Sequence, residues 1–334
     1  MPRRVPALVL ALCAVLVPAG CAGADLKKQP PQARSTIPAN AENVTRSSGP
    51  TPTDVPSGEA VDPAFAVEKL RLIDPCKLFD HDVLAKLGKP ANEDGGGFSR
   101  CSNFMKDKNG KDLAITVEVG QTLTSEVRNA DKQLAGLKSY EQTLEGSACF
   151  VSVITQEKPP LGITVQIGYK EGDACAPGRT VAESVVKAVK ARTGAFTPAK
   201  GSLVTLDPCT LPDSAAVSAA AGASARVYPY GLHNCSWVGD GEEMTVDLRQ
   251  TFVPKNDKFD DKQTDVDLGG TKAYQLDNPG AYPSCSVRWV QRRLADDDAE
   301  IVEVKSAGPK KSEFDRCARA VAFSKVLVAK IPKG

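Results

Sequence analysis

The chain has 334 residues, of which 41% are hydrophobic, 25% are charged and 5% are aromatic. Its 42 basic and 41 acidic side chains give a formal net charge of +1. Nucleic-acid binding is therefore disfavoured, because phosphate recognition needs clustered basic residues in excess. A mean hydropathy of -0.24 excludes a polytopic membrane protein. A chain of this length accommodates roughly two domains.

Residues 1–20 have the pattern of an export signal. Two arginines precede a mostly apolar run over 5–17, which is shorter than the about 20 residues that a membrane-spanning helix needs. Cys21 follows a Pro-Ala-Gly segment that resembles the lipobox of bacterial lipoproteins, with Pro18 where leucine is usual. That resemblance implies a lipid on the Cys21 thiol. Cleavage at the Ala-Gly-Ala segment 22–24, with secretion of the chain, is the alternative.

The segment over 21–65 is predicted to be a disordered tether that begins with the lipidated cysteine. It is rich in Pro, Ser, Thr, Ala, Asn and Gly, and its apolar residues do not recur at helical or strand spacing. Such a segment cannot bury enough apolar surface to offset the entropy of an ordered chain. About forty flexible residues span roughly 35 Å, so the tether would hold a folded head away from the membrane.

The rest of the chain is a tandem repeat, with a first repeat over 66–197 and a second repeat over 198–334. Motifs and cysteines recur in the same order in both, which chance does not explain. The sequence therefore predicts two homologous domains. The recurring elements are Asp74-Pro75-Cys76 with Asp207-Pro208-Cys209, Cys101-Ser102 with Cys235-Ser236, Cys149 with Cys285, and Cys175 with Cys317.

Each repeat is predicted to be α+β, with an antiparallel sheet that carries helices on one side. Runs of strands bracketed by helices, without regular βαβ alternation, favour this class. In the first repeat, alternating apolar residues predict strands over 113–119 and 163–169, and a valine stripe predicts a closing helix over 180–192. A further helix is predicted over 124–137.

The two Asp-Pro-Cys motifs are predicted to start helices. Aspartate is a favoured N-cap, and proline is favoured in the first helical turn. In the first repeat this helix is expected to end at Gly88, because the residue after a helix often takes a left-handed conformation that favours glycine. In the second repeat one continuous helix is expected over 208–221.

Eight cysteines remain when Cys13 and Cys21 are set aside, four in each repeat. An exported protein meets oxidising conditions, so disulfides are expected. Four cysteines allow three connectivities, which sequence alone cannot separate. We expect the sequential pairing because each bond would then tie a terminal helix to a strand of the same sheet. The expected pairs are Cys76 with Cys101, Cys149 with Cys175, Cys209 with Cys235, and Cys285 with Cys317.

The order of these motifs resembles the domain-of-unknown-function 3558 family, which comprises lipoproteins of the actinobacterial envelope. The resemblance covers 70–195 and 203–332, and rests on the Asp-Pro-Cys motif, the glycine-terminated helix, the Cys-Ser-aromatic strand and the cysteine near the last helix. It implies a surface location and a lipid anchor. It implies no known activity and no catalytic residues.

The sequence offers few candidates for catalysis. It contains no G-x-S-x-G elbow, no H-E-x-x-H, no phosphate-binding loop and no dinucleotide fingerprint. Its two histidines, His81 and His233, are expected to be surface or capping residues. The aspartates at 296–298 are expected to form a solvated turn, and the glycines at 95–97 a flexible connection. We therefore predict no catalytic residue, no metal site and no cofactor.

Aromatic residues are concentrated in the second repeat. Tyr228 and Tyr230 are predicted to lie on an exposed loop and are the candidate binding residues, because aromatic side chains are enriched at binding hot spots. Trp237 and Trp289 are expected in the core.

These observations favour a non-catalytic binding or sensor module, lipid-anchored on the extracytoplasmic face of the cell membrane. Its partner would be an envelope protein, a glycan or a small ligand. Two alternatives are an enzyme acting on envelope polymers and a structural or chaperone-like lipoprotein that supports an envelope assembly. A pocket with convergent reactive groups of shifted pKa would favour the enzyme. A broad exposed apolar patch near Tyr228 would favour the structural or chaperone-like lipoprotein.

Overall fold

The structure is a computed structural model that describes residues 58–144, 146–253, 259–260, 262–295, 297–311 and 314–333. The export signal, Cys21 and most of the segment over 21–65 lie outside these ranges. Ala60 already forms a β-bridge with Gln156, and Phe65 is buried in the core of the first repeat. The boundary predicted after residue 65 is therefore too late, since the folded part includes Ala60.

The first repeat contains one antiparallel sheet with helices on one face. Its strands are β1 Gly88–Lys89, β2 Glu93–Gly95, β3 Arg100–Asp107, β4 Asp112–Thr122, β5 Lys132–Leu134, β6 Leu137–Leu144, β7 Ala148–Glu157 and β8 Pro160–Gly168. The strand order is β1-β3-β4-β8-β7-β6-β5, with β2 also paired to β3. Its helices are α1 Val67–Leu70, α2 His81–Leu87, α3 Thr124–Asn129 and α4 Cys175–Lys190.

The second repeat has the same arrangement. Its strands are β9 Arg226–Pro229, β10 Asn234–Gly239, β11 Glu242–Phe252, β12 Thr264–Asp267, β13 Lys272–Asn278, β14 Ser284–Arg293 and β15 Asp298–Ala307. Its helices are α5 Ser214–Ala221 and α6 Arg316–Lys330. The order β10-β11-β15-β14-β13-β12 repeats the order β3-β4-β8-β7-β6-β5 of the first sheet. The predicted fold class, two tandem α+β domains with antiparallel sheets, is therefore confirmed.

Alternate residues of the long strands point to one face of each sheet, where helices cover them. The valine stripe of α4 is buried against β7 and β8. In the second repeat, Trp237 and Trp289 are fully buried, as predicted, and the Trp237 ring meets Phe323 of α6 edge-on at 5.7 Å between centroids. Within the described ranges, no helix combines the length and apolar character needed to span a membrane.

Four disulfides join the cysteines in the expected sequential pairs, and the prediction is confirmed. Each repeat has one bond from an Asp-Pro-Cys motif to its sheet and one from its last helix to its sheet. The bonds are Cys76–Cys101, Cys149–Cys175, Cys209–Cys235 and Cys285–Cys317.

Each Asp-Pro-Cys motif starts a short 3-10 turn, Pro75–Leu78 in the first repeat and Pro208–Thr210 in the second. The aspartate accepts a hydrogen bond from the cysteine N–H in both motifs, so the predicted capping is confirmed. The continuous helix predicted over 208–221 is wrong. A second aspartate, Asp80 in the first repeat or Asp213 in the second, accepts hydrogen bonds from N–H groups two or three residues later. It is the N-cap of a separate α-helix.

The helix predicted over 124–137 is also too long. It ends at Asn129, and β5 and β6 then form a hairpin whose turn is Ala135 and Gly136, with φ of 49° and 83°. Two successive residues with positive φ give the tight turn whose twist suits antiparallel strands. The apolar residues of this segment therefore belong to strands and not to a helical stripe.

Gly88 ends α2 for a reason other than the expected one. Its φ of 168° is extended, not left-handed. A Cβ at this position would lie 2.0 Å from the carbonyl oxygen of Lys106. Glycine is required because β1 approaches β3 closely here.

Candidate functional site

The two repeats belong to one compact unit and contact each other through equivalent turns. Phe98 and Leu232 each lie three residues before the second cysteine of their repeat. Leu232, which is 3% exposed, is part of the apolar core of the first repeat, and Phe98 packs against the core of the second. The second repeat thus places Leu232 in the core of the first, and the first repeat packs the half-buried Phe98 against the core of the second.

This contact requires a glycine at position 120. Gly120 has a φ of 72°, and a Cβ there would lie 2.2 Å from Cγ of Leu232. Two residues further on, the Thr122 hydroxyl accepts a hydrogen bond from the Gly231 N–H at 2.7 Å. A larger side chain at position 120 would displace Leu232 and disturb the turn that follows Tyr230.

Arg71 forms a hydrogen bond and an ion pair with the second repeat. Its side chain is buried, its Nε donates to the Leu232 carbonyl oxygen at 3.1 Å, and its guanidinium lies 3.0 Å from the Asp207 carboxylate. Asp207 is also the N-cap of the second Asp-Pro-Cys motif. The aspartate of that motif therefore has an inter-repeat role in addition to the predicted capping role.

His233 is buried at this contact, so its predicted placement at the surface is wrong. Its Nε2 lies 2.7 Å from the Val204 carbonyl oxygen, and its Nδ1 lies 3.3 Å from the Ser99 hydroxyl. Because a carbonyl only accepts, the proton is on Nε2 and Nδ1 accepts from Ser99. The ring also contacts Phe98 at 4.9 Å between centroids. Arg71 and Asp207 are the charged groups that act on it.

Burial lowers the pKa of His233 from 6.5 to about 4. As the pH falls, the histidine therefore binds a proton at a higher pH in the unfolded chain than in the folded chain. The stability that neutral, buried His233 contributes is fully present above pH 6.5 and is lost as the pH approaches 4. The full loss corresponds to about 3 kcal/mol. We expect the unfolding free energies of wild type and His233→Gln to converge across this window in denaturant titrations. Parallel curves would contradict the assignment.

Beside the contact lies a cleft of about 680 Å³, which we call the inter-repeat cleft. The turn between β2 and β3 and the end of β4 form one side, and the turn before β10 and the end of β11 form the other. A volume of this size suits a small-molecule ligand. Its uncharged polar lining includes Ser99, Gln121, Thr122, Asn234, Gln250 and Thr251.

Two carboxyl groups occupy equivalent places in this cleft. Glu118 is the cross-strand partner of Arg100, and Asp247 is the cross-strand partner of Asn234. Burial raises the pKa of Glu118, against the opposing charge of Arg100. Burial also raises the pKa of Asp247, against Arg249 and the Asn234 hydrogen bond. Carboxyl groups with raised pKa in a cleft are candidates for a functional role.

Arg249 lines the same cleft, and its side chain is bound by a residue of the neighbouring strand. Its guanidinium forms an ion pair with Glu303 of β15, and the same carboxylate accepts from Arg288 of β14 at 3.0 Å. Burial lowers the pKa of Arg288. The charge of Arg249 is therefore offset by protein groups before any ligand enters the cleft.

The two candidate binding residues occupy different environments. Tyr230 is 51% exposed and lines the cleft, as does Phe252, which is 59% exposed. Tyr228 is 40% exposed and lies in the edge strand β9, not in a loop, and it is not among the residues that line the cleft. Exposure of both tyrosines agrees with the prediction, whereas Phe252 was not predicted.

The remaining predicted positions are distributed as follows. Cys21 lies outside the described residues, and so does one of the three aspartates at 296–298. His81 is exposed and lies 3.4 Å from Glu93. The glycines at 95–97 line the inter-repeat cleft. In the described part of the chain, no three or more His, Cys, Asp or Glu side chains are placed to hold a metal ion.

Comparison with known proteins identifies no relative by sequence. No family model matches the chain, and no curated protein matches it. Among solved structures, the chain aligns with the di-domain ARO/CYC BexL at 12% identity and a TM-score of 0.14, covering 83% of this chain and 92% of that chain. It aligns with the di-domain ARO/CYC StfQ at 11% identity and a TM-score of 0.16, covering 83% and 94% respectively. Similarity at this level carries no argument about fold or function.

Proposed function

We propose that this protein is an exported, lipid-anchored lipoprotein of the cell envelope and acts as a binding or sensor module whose ligand occupies the inter-repeat cleft. The observation that carries the proposal is the cleft itself, which both repeats form and in which Glu118 and Asp247 are partly buried. Burying carboxyl groups costs free energy, so the presence of one at the equivalent position of each repeat favours a role in binding.

The proposed location rests on the export signal, on Cys21 and on the resemblance to the domain-of-unknown-function 3558 family. The four disulfides support it, because stable disulfides are typical of proteins outside the cytosol. Attachment would be through the lipid on Cys21, which keeps the folded repeats at the extracytoplasmic face of the membrane.

Replacing Cys21 by serine removes the thiol that would carry the lipid. We expect Cys21→Ser to move the protein from the membrane fraction to the medium, because the variant has no thiol at position 21 that could carry a lipid anchor. Fractionation and immunoblotting would measure this, with Cys13→Ser as the matched control that stays in the membrane. Membrane retention of Cys21→Ser would contradict the lipid anchor.

The cleft can be tested with a double variant that keeps its shape. Glu118→Gln with Asp247→Asn replaces both carboxyl groups by amides of similar size. We expect a soluble envelope extract to raise the melting temperature of the wild-type protein and to have little effect on the double variant. Tyr282→Ala, at an exposed tyrosine away from the cleft, is the control that keeps the full response. An equal response of wild type and double variant would contradict the proposal.

The raised pKa values of Glu118 and Asp247 also favour a second candidate function, an enzyme acting on envelope polymers. A carboxyl group that stays protonated to higher pH is suited to general acid catalysis. Release of soluble fragments from isolated envelope polymer by wild type, and its loss in the double variant, would favour this candidate. Extract binding without such release would favour the binding module.

A further inference from the structure

We infer that the inter-repeat cleft binds an uncharged oligosaccharide. The inference rests on the proposed function and specifies the ligand class for the same site. It starts from the uncharged polar lining, in which side-chain amides and hydroxyls come from both repeats. Gln121 and Thr122 belong to the first repeat, and Asn234, Gln250 and Thr251 belong to the second. Amides both donate and accept hydrogen bonds, which suits a ligand covered with hydroxyl groups.

The charged residues that line the cleft carry both signs, two arginines and three carboxyl groups: Arg100, Arg249, Glu118, Asp247 and Asp298. Arg249 pairs with Glu303, and Asp298 accepts a hydrogen bond from Gln250 at 3.2 Å. Glu118 lies across the strand pair from Arg100. A polyanion would need an excess of basic groups, and a polycation an excess of unpaired carboxylates. With two arginines and three carboxyl groups, the lining has no large excess of either sign, which suits a neutral ligand.

One acceptor in the cleft has no protein partner. The Oε1 atom of Gln121 is buried, and none of the described residues donates a hydrogen bond to it. A buried polar atom without a partner is costly, and a ligand hydroxyl would satisfy it. Gln121 and Gln250 both follow the buried segment of their strand, so each side of the cleft presents an amide to a ligand.

Two exposed aromatic rings complete the lining. Tyr230 and Phe252 are 51% and 59% exposed, and both border a cleft whose lining combines polar and apolar side chains. The C–H faces of a sugar ring are apolar while its edge carries the hydroxyls, so a sugar can stack on an aromatic ring and hydrogen-bond to amides at once. This combination of aromatic and polar groups distinguishes a saccharide from a lipid, which would need an apolar lining.

Isothermal titration of the wild-type protein with four neutral oligosaccharides tests the inference. The probes are chitotetraose, cellohexaose, maltohexaose and mannohexaose, with a heparin hexasaccharide and trilysine as charged comparisons. We expect at least one neutral probe to bind. Tyr230→Ala and Phe252→Ala should each weaken that binding about tenfold or more, while Tyr282→Ala binds like wild type. Both cleft positions are exposed, so the melting temperatures without ligand should stay close to wild type.

The inference is overturned if no neutral probe binds, if only a charged probe binds, or if the two aromatic variants bind the neutral probe as tightly as wild type. The proposed function is judged separately by the envelope extract. If the extract stabilises the protein in a Glu118- and Asp247-dependent way while all neutral probes fail, the cleft binds another ligand class. If the extract also fails, both proposals are overturned.

Discussion

Replacing Cys209 by alanine is expected to lower the unfolding free energy of the second repeat by about 2 to 5 kcal/mol. The bond Cys209–Cys235 joins the second Asp-Pro-Cys turn to β10 and closes a loop with a sequence separation of 26. Without it the unfolded chain gains conformational freedom, and the turn loses its covalent link to β10. The first repeat should be affected less, because its own disulfides are intact, and the part of the loss that reaches it is transmitted through Leu232 in its core.

The two tryptophans make this prediction measurable one repeat at a time. The chain has two tryptophans, Trp237 and Trp289, and both lie in the second core. Tryptophan fluorescence therefore reports the second repeat, while far-ultraviolet circular dichroism reports both. We expect Cys209→Ala to move the fluorescence transition to lower denaturant. Cys76→Ala is the matched control that should affect the circular dichroism transition more. A fluorescence transition unchanged by Cys209→Ala would contradict the prediction.

Leu232→Ala is expected to cost about 2 to 5 kcal/mol, the range for a buried leucine whose cavity cannot fully close. Leu232 is 3% exposed and belongs to the second repeat by sequence but to the first core by packing. The loss should therefore fall on the first repeat and separate the circular dichroism transition from the tryptophan transition. Leu144→Ala, at a leucine that is 46% exposed, is the control with little effect.

A double-mutant cycle with Gly120 tests the geometry of the same contact. Gly120→Ala alone should be destabilising, because its Cβ would lie 2.2 Å from Leu232 Cγ and its φ is positive. In the Leu232→Ala background the steric part of that cost should disappear, while the backbone part stays. The two changes should therefore be less than additive, since they share one contact. Additive free energies would contradict the packing of Leu232 against position 120.

Local signals explain what the sequence could predict of the fold. The spacing of the cysteines and the Asp-Pro-Cys motifs led to two repeats with sequential disulfides, because caps and crosslinks depend on residues close in sequence. The hairpin β5–β6 was missed because its turn, Ala135-Gly136, lacks the usual Asn-Gly or Asp-Gly signal. The helix predicted over 208–221 is too long because Asp213 is a second N-cap within that range and begins a separate helix.

The candidate site was predicted only in part, because it depends on how the two repeats meet. Tyr230 was identified from its aromatic surroundings, but Glu118 and Asp247 lie far apart in sequence and gain their shared environment from tertiary structure. His233 was placed at the surface because sequence does not show that Ser99 and the Val204 carbonyl enclose it. One signal could have indicated the contact, namely a glycine followed by an apolar residue just before the Cys-Ser strand in both repeats.

The contacts that Leu232 and Phe98 make with the opposite repeat have a consequence for recognition. Since Leu232 of the second repeat fills part of the first core, hinge rotation between the repeats would require this side chain to leave its buried site. The walls of the cleft are therefore preorganised, and an incoming molecule meets a rigid receptor. Little binding free energy is then spent on ordering the protein, so weak individual hydrogen bonds can add up to useful affinity.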